Sequence, residues 1–176
     1  MSSQINYNHP RAATIKAQSL EILSHSPRAK ALHEKIAPVI HILKGPLPQA
    51  FVHGTKTIYL RVPALQSNGR LEQAIDLSGA LIELEMNKSL PALDPATLES
   101  DETQVQQHYK NVSIYMKAFP IAEELDEAGH KALKEIRLMG LGKLYQAWKS
   151  GADLEECANI YWSIFDTDNK NNDQEG

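Results

Sequence analysis

Glu83 is the residue of this chain that comes closest to a catalytic pattern. It is the second residue of the window Ile82-Glu83-Leu84-Glu85-Met86, which aligns with the motif H-E-x-x-H. In that motif two histidines on one helix face bind zinc, and the glutamate acts as a general base on metal-bound water. Both histidine positions here carry apolar side chains. The window therefore predicts a vestigial base, and we expect no metal ligands and no cofactor.

Carboxylates near this position offer a second kind of chemistry. Glu72, Asp76 and Glu83 fall on one stripe of a helix, with Gly79 between them, at offsets of 4, 3 and 4 residues. Together with Glu85 they could bind a divalent cation or act as acid and base in a cleft. The alternative, which we favour on sequence grounds, is the solvated side of an amphipathic helix.

The other residue types that carry chemistry show no catalytic arrangement. The seven histidines include no pair at the i, i+4 spacing that places two imidazoles on one helix face. Cys157 lies near the apolar face of its helix and is expected to be a buried core thiol. The sequence contains no G-x-S-x-G, P-loop or dinucleotide-binding motif.

An alternating strand and a long apolar helix are predicted to position these residues. Residues 57–62 alternate apolar and polar side chains, and with residues 50–53 they predict a β-hairpin. Tyr59 and Arg61 point to the side of this strand opposite its apolar residues. The apolar arc of residues 69–88 is so wide that it predicts a central helix.

The rest of the chain is predicted to be helical. Residues 32–43 carry a helical apolar stripe, within which Pro38 is expected to cause a kink or an early end. The predicted fold class is mainly α (α+β), a single helical domain of about six helices with one small β-hairpin. Residues 1–9 are expected to be a flexible N-terminus, residues 10–165 one globular domain, and residues 166–176 a disordered polar tail.

Local signals predict where helices begin and bend. Ser26 precedes Pro27 and is expected to cap the helix that starts there. Asp153 is expected to cap the last helix, with Glu156 at the capping-box position. Gly140, within a helix predicted from Leu133 to Trp148, indicates a bend or a close contact between helices.

Composition excludes several classes of partner. The chain has 176 residues and a formal net charge of -4, without a basic run, so we expect no nucleic-acid partner. No apolar run approaches the ~20 residues that cross a bilayer, so we expect no membrane partner. The single cysteine and the absence of an apolar leader favour a cytoplasmic protein, or one exported without a cleaved signal peptide.

The order of these elements is similar to that of a known family. The strand Thr57-Ile58-Tyr59-Leu60, the helix with Leu81-Ile82-Glu83-Leu84-Glu85-Met86, and the acid-containing helix that follows cover roughly residues 50–165. In this order they resemble a degenerate form of the zincin-like metallopeptidase family of bacterial effector-like proteins.

That resemblance implies specific roles for individual residues. Ile82 and Met86 occupy the positions of the two histidine ligands, Glu83 that of the base, and Glu102 is the nearest candidate for a third ligand. Because apolar side chains cannot bind zinc, the resemblance implies a pseudoenzyme that keeps its cleft as a binding surface.

Three functional hypotheses follow from these observations. The first is a non-catalytic binding or adaptor protein, a bacterial effector or its accessory factor, with another protein as its partner and with Tyr59, Arg61, Glu83 and Met86 as binding residues. The second is a hydrolase-type enzyme that uses cleft carboxylates around Glu83, and the third is a purely structural helical interaction module. The sequence leaves the oligomeric state open.

Overall fold

A computed structural model describes residues 8–64, 70–89 and 101–174, with side chains described except at position 101 and from position 165 onward. Within these ranges the protein is mainly helical, with seven helices and one small sheet. The helices are α1 (Ala12–Leu23), α2 (Pro27–Ile36), α3 (Leu71–Asn87), α4 (Asp101–Glu127), α5 (Ala132–Leu138), α6 (Gly142–Lys149) and α7 (Leu154–Gln174), and the strands are β1 (Val39–Lys44), β2 (Gln49–His53) and β3 (Thr57–Val62).

The sheet has the strand order β1-β3-β2. β2 and β3 form the predicted antiparallel hairpin, in which Ala50 pairs with Leu60. Gly54 has a φ of +65° in the turn between them, a backbone conformation that glycine adopts at little cost. β1 lies on the other side of β3 and runs parallel to it, with Ile40 opposite Ile58.

The predicted helix over residues 32–43 is wrong in its second half. α2 ends at Ile36, Ala37 adopts a left-handed φ of 47°, and β1 begins at Val39. Pro38 accounts for this change, because proline disfavours a helical conformation at the preceding residue and cannot donate to the helix. The apolar residues after Pro38 fit both periodicities, and pairing with β3 selects the strand.

α3 is the central helix, as its wide apolar arc predicts. It packs against α1, α2, α4, α5, β2 and β3. Leu77, Leu81 and Leu84 are almost completely buried in it. Ile58 and Leu60 of the central strand are fully buried on the face of the sheet that packs on the helices. α3 therefore separates the surfaces on its two sides, and each side has its own cavity.

The two predicted helix caps are confirmed. The Ser26 hydroxyl accepts a hydrogen bond of 3.2 Å from the Ala29 amide at the start of α2. The Asp153 carboxylate accepts one of 2.9 Å from the Glu156 amide at the start of α7. Both oxygens satisfy amides that have no partner within the helix.

Two further breaker residues act differently from each other. Gly140 has a φ of +83° and separates α5 from α6, so the predicted helix from Leu133 to Trp148 is in fact two helices. Pro120, a residue that predicts a break or a bend, lies inside α4. A proline in a helix removes one amide donor, and the packing of α4 on α3, α5 and α7 compensates for that loss.

The predicted domain boundaries at positions 9 and 166 remain predictions, and residues 1–7 lie outside the described part. Asn8 forms an isolated antiparallel bridge with Leu43, and the His9 amide donates to the Ile42 carbonyl at 2.9 Å. This contact covers the outer edge of β1 at Ile42 and Leu43. Among the described helices none has the length and apolar character needed to cross a membrane.

Candidate functional site

A cleft of about 360 Å³ runs along the outer edge of β2. Residues 49–52 line it in succession. Consecutive strand residues point to opposite faces of a sheet, so a cavity that touches all four lies along the strand's edge rather than against one face. None of the other described strands pairs with this edge, because the sheet ends at β2. Within the described residues, the backbone of β2 thus has no strand partner on this side.

The opposite wall of the cleft is the carboxylate stripe of α3. Asp76, Gly79 and Glu83 line the cavity together, as their spacing on one helix face requires. Gly79 has no side chain and so leaves space in the middle of this wall. A Cβ atom there would lie 3.7 Å from Cγ2 of Ile114 on α4, an ordinary contact distance. The rest of the lining is largely apolar and comes from α4, α5 and the residues that follow α5.

Asp76 is the most perturbed carboxylate of the cleft. Burial is the largest cause and the negative charges of Glu72 and Glu135 add to it, and together they raise the pKa of Asp76 to about 7. Within the described residues no hydrogen bond or ion pair to this carboxyl is present that would favour its charged form. At neutral pH the group is therefore close to half-protonated.

Glu83 has a cation beside it. Lys110 Nζ lies 3.9 Å from Glu83 Oε1, and both side chains are largely buried. The same ammonium donates to Asn87 Oδ1 at 2.9 Å, and Asn87 Nδ2 donates to the Gly54 carbonyl at 2.9 Å. This chain of contacts joins α4, the end of α3 and the hairpin turn, and it connects two walls of the cleft.

The structure does not bring the four predicted site residues together. Tyr59 and Arg61 lie on the outer face of the sheet, opposite the face that packs on the helices. Met86 lines a separate groove of about 650 Å³ between α2, α3 and α4, together with Ile82. Only Glu83 lines the cleft beside β2.

The outer face of the sheet carries a row of rings across its three strands. His41 and Phe51 stack on either side of Tyr59 at centroid distances of 5.2 and 5.1 Å. The Arg61 guanidinium lies 5.1 Å from the Phe51 centroid. Because the rings turn their flat faces towards each other, this row stabilises the pairing of the strands.

The residues near Glu83 do not fit a zinc ion. Ile82 and Met86 line the groove on the other side of α3, so even ligands at those positions would not converge on Glu83. The α4 side chain that contacts Glu83 is the cation Lys110, whereas Glu102 is exposed. In the described part of the chain, no group of three or more His, Cys, Asp or Glu residues could hold a metal.

Sequence reasoning identified one wall of the cleft and missed the others. The stripe of Asp76 and Glu83 was visible from its spacing. The edge of β2 and Lys110 were not, since no local pattern indicates which distant residues face a helix. The stacked partners of Tyr59 were equally invisible, although alternation in residues 57–62 placed Tyr59 on the outer face.

Comparison of the chain with protein-family models, with curated proteins and with solved structures gave no match. The zincin resemblance therefore stays a prediction.

Proposed function

We propose that this chain is a non-catalytic binding protein whose cleft between β2 and α3 holds an extended segment of another protein. The observation that carries the proposal is the open edge of β2 above a cavity with polar and apolar walls. An extended segment that pairs with such an edge gains backbone hydrogen bonds, and its alternate side chains enter the cavity beneath.

The dimensions of the cleft suit a short strand. β2 contains five residues. At roughly 3.4 Å per residue it offers about 17 Å of backbone for pairing. Natural proteins usually protect such edges with charge, proline or a covering element, because an open edge promotes unwanted association. β2 contains no lysine and no proline, which supports an edge that is kept for a partner.

The same geometry supports a pseudoenzyme on a zincin-like scaffold. The resemblance rests on the strand Thr57-Ile58-Tyr59-Leu60, which is β3; it packs on α3 as β2 does, but it is the middle strand of the sheet and not its edge. The position implied for the base, Glu83, is paired with Lys110, which removes a free carboxylate from the cleft. With this scaffold we propose that the protein is a bacterial effector or an accessory factor. It would be cytoplasmic or exported without a cleaved leader.

The test is whether peptides bind along β2. Peptides of about twelve residues, selected from a displayed library on the full chain, would be added to isotope-labelled protein. We expect amide shifts and slower hydrogen exchange in residues 49–53, with much smaller changes at Ile42 and Leu43 of β1, which already contact His9 and Asn8. Binders that leave the β2 amides unchanged would overturn the proposal.

One observation favours a second function, an enzyme that uses the cleft carboxylates. A carboxyl with a pKa of about 7 is suited to accept and return a proton near neutral pH. This hypothesis requires turnover of ester or peptide substrates that Asp76→Asn abolishes and Glu85→Gln preserves. Absence of turnover over a broad substrate panel would leave the binding function as the better account.

A further inference from the structure

We infer that the segment held along β2 carries a lysine or arginine whose charged end pairs with Asp76. This inference rests on the proposed function and names the chemistry of the partner.

The charges in the cleft select for a cation. Among the residues that the structure describes, no cation favours the charged form of Asp76, and Glu72 and Glu135 add negative potential around it. Lys110, a cation of α4 near the cleft, already contacts Glu83 and Asn87. An acidic segment would be repelled and a neutral donor would give only an uncharged hydrogen bond, so a basic side chain gains most from this position.

The apolar lining of the cleft suits the stem of such a side chain. Ile75, Ile114 and Phe119 line the same cavity as Asp76. Lysine and arginine place their methylene groups against apolar surface while the charged end stays at a polar group. A basic side chain that enters the cleft from an added strand would therefore bury its stem on these residues and reach the carboxyl with its charged end.

The pairing would make binding depend on pH. A bound cation favours the ionised carboxylate, so it lowers the pKa of Asp76 from about 7 and binding releases a proton near neutral pH. The carboxyl is mostly protonated at pH 6 and mostly ionised at pH 8, so affinity should rise about tenfold between these values. The Lys110–Glu83 pair, and Glu72 and Glu135, also face this region, which makes the Asp76→Asn variant necessary to assign the effect.

The experiment uses the peptides selected on the full chain and compares two variants on the same helix. Asp76→Asn removes the proposed partner of the cation. Glu85→Gln changes an α3 carboxylate on the opposite side, where it pairs with Lys35 at 3.5 Å. Affinity is measured by calorimetry at pH 6 and pH 8, for each peptide and for a version with its basic residue replaced by methionine.

The inference predicts four results together. Selected peptides are enriched in lysine or arginine, and replacement of one such residue by methionine weakens binding at least tenfold. Asp76→Asn weakens binding by a similar factor and removes the pH dependence, whereas Glu85→Gln changes neither. The carboxyl carbon of Asp76, followed by NMR, titrates at lower pH in the complex than in the free protein.

The two levels of the proposal fail differently. Peptides that shift the β2 amides but lack a basic residue, or that bind Asp76→Asn as tightly as wild type, would overturn the inference and leave the β2 site intact. Selected peptides that leave the β2 amides unchanged would overturn both.

Discussion

Lys110 of α4 and Glu83 of α3 form an ion pair, with Nζ 3.9 Å from Oε1, and Glu83 lines the cleft along β2. Glu83, which occupies the position of the catalytic base in the motif H-E-x-x-H, is thus paired with a cation from α4, the next helix in the chain. Lys110 is also held by Asn87, which contacts the hairpin turn at Gly54. The pair belongs to the framework of the cleft, and Asp76 is the cleft carboxyl whose charged form no described cation stabilises.

The stability of the protein should depend on the ionisation of Asp76. Its pKa is raised in the folded state to about 7 from an ordinary value of 3.8. The unfolded chain therefore releases this proton first, so the contribution of Asp76 to stability falls as the pH rises from about 4 to about 7. We expect the free energy of unfolding of Asp76→Asn at pH 8, measured by denaturant titration, to exceed that of wild type by on the order of 2–4 kcal/mol. The gain should vanish near pH 4, and a gain of equal size at both pH values would contradict the assignment.

Gly79→Ala should separate stability from binding. The added methyl group would lie 3.7 Å from Ile114, so it fits without displacing a neighbour. Alanine in place of glycine within a helix stabilises by up to about 1 kcal/mol. The same methyl group narrows the cleft at its α3 wall, so we expect selected peptides to bind severalfold more weakly. Thermal unfolding and calorimetry check the two effects, and a variant that gains stability without loss of affinity would show that the segment does not reach the α3 wall.

The burial of Leu81 predicts a large loss of stability in Leu81→Ala. The side chain is 1% exposed in the middle of α3. Removal of its methyl groups costs transfer energy and leaves a cavity, together about 2–5 kcal/mol. Leu138→Ala on α5 is the matched control, since Leu138 is 71% exposed, and it should change stability by less than about 0.5 kcal/mol. Denaturant titration of both variants makes the comparison, and similar small effects would show that α3 is not central.

Ser26 should matter more than its neighbour Ser24. Its hydroxyl caps α2 by accepting from Ala29 and donates to Glu124 of α4 at 2.9 Å. Ser26→Ala should cost about 1–2 kcal/mol, because a buried helix end loses its cap. The exposed Ser24 hydroxyl only donates to the Glu21 carbonyl, so Ser24→Ala should be nearly neutral. Equal costs for the two variants would argue against the link between α2 and α4.

The purified protein should not contain stoichiometric zinc. Ile82 and Met86 supply no strong ligand and line the groove away from Glu83, whose contact is a lysine. Elemental analysis after purification without a metal-binding tag should find far less than one zinc per chain. One tightly bound zinc per chain would refute the pseudoenzyme hypothesis.

The sequence by itself determined those features that depend on neighbours within one or two helical turns. The hairpin at Gly54, the apolar arc of α3, and the caps at Ser26 and Asp153 all follow from residue types at short spacing. Gly140 indicated a bend or a close contact in the same way, but the division of the predicted helix into α5 and α6 was missed. The strand β1 was missed because its apolar residues fit a helix equally well until β3 is present as a pairing partner.

Only the tertiary structure decided which residues share a cavity. Ile82, Glu83 and Met86 have the spacing of the motif in sequence. Because α3 packs against α2 on one side and β2 on the other, Ile82 and Met86 line one groove and Glu83 lines the cleft beside β2. Asp76 became the distinctive group because α3, α5 and β2 enclose it, and Lys110 reached Glu83 because α4 lies beside α3. Burial and charge at a site are sums over elements that are distant in sequence, and a local pattern carries no information about that sum.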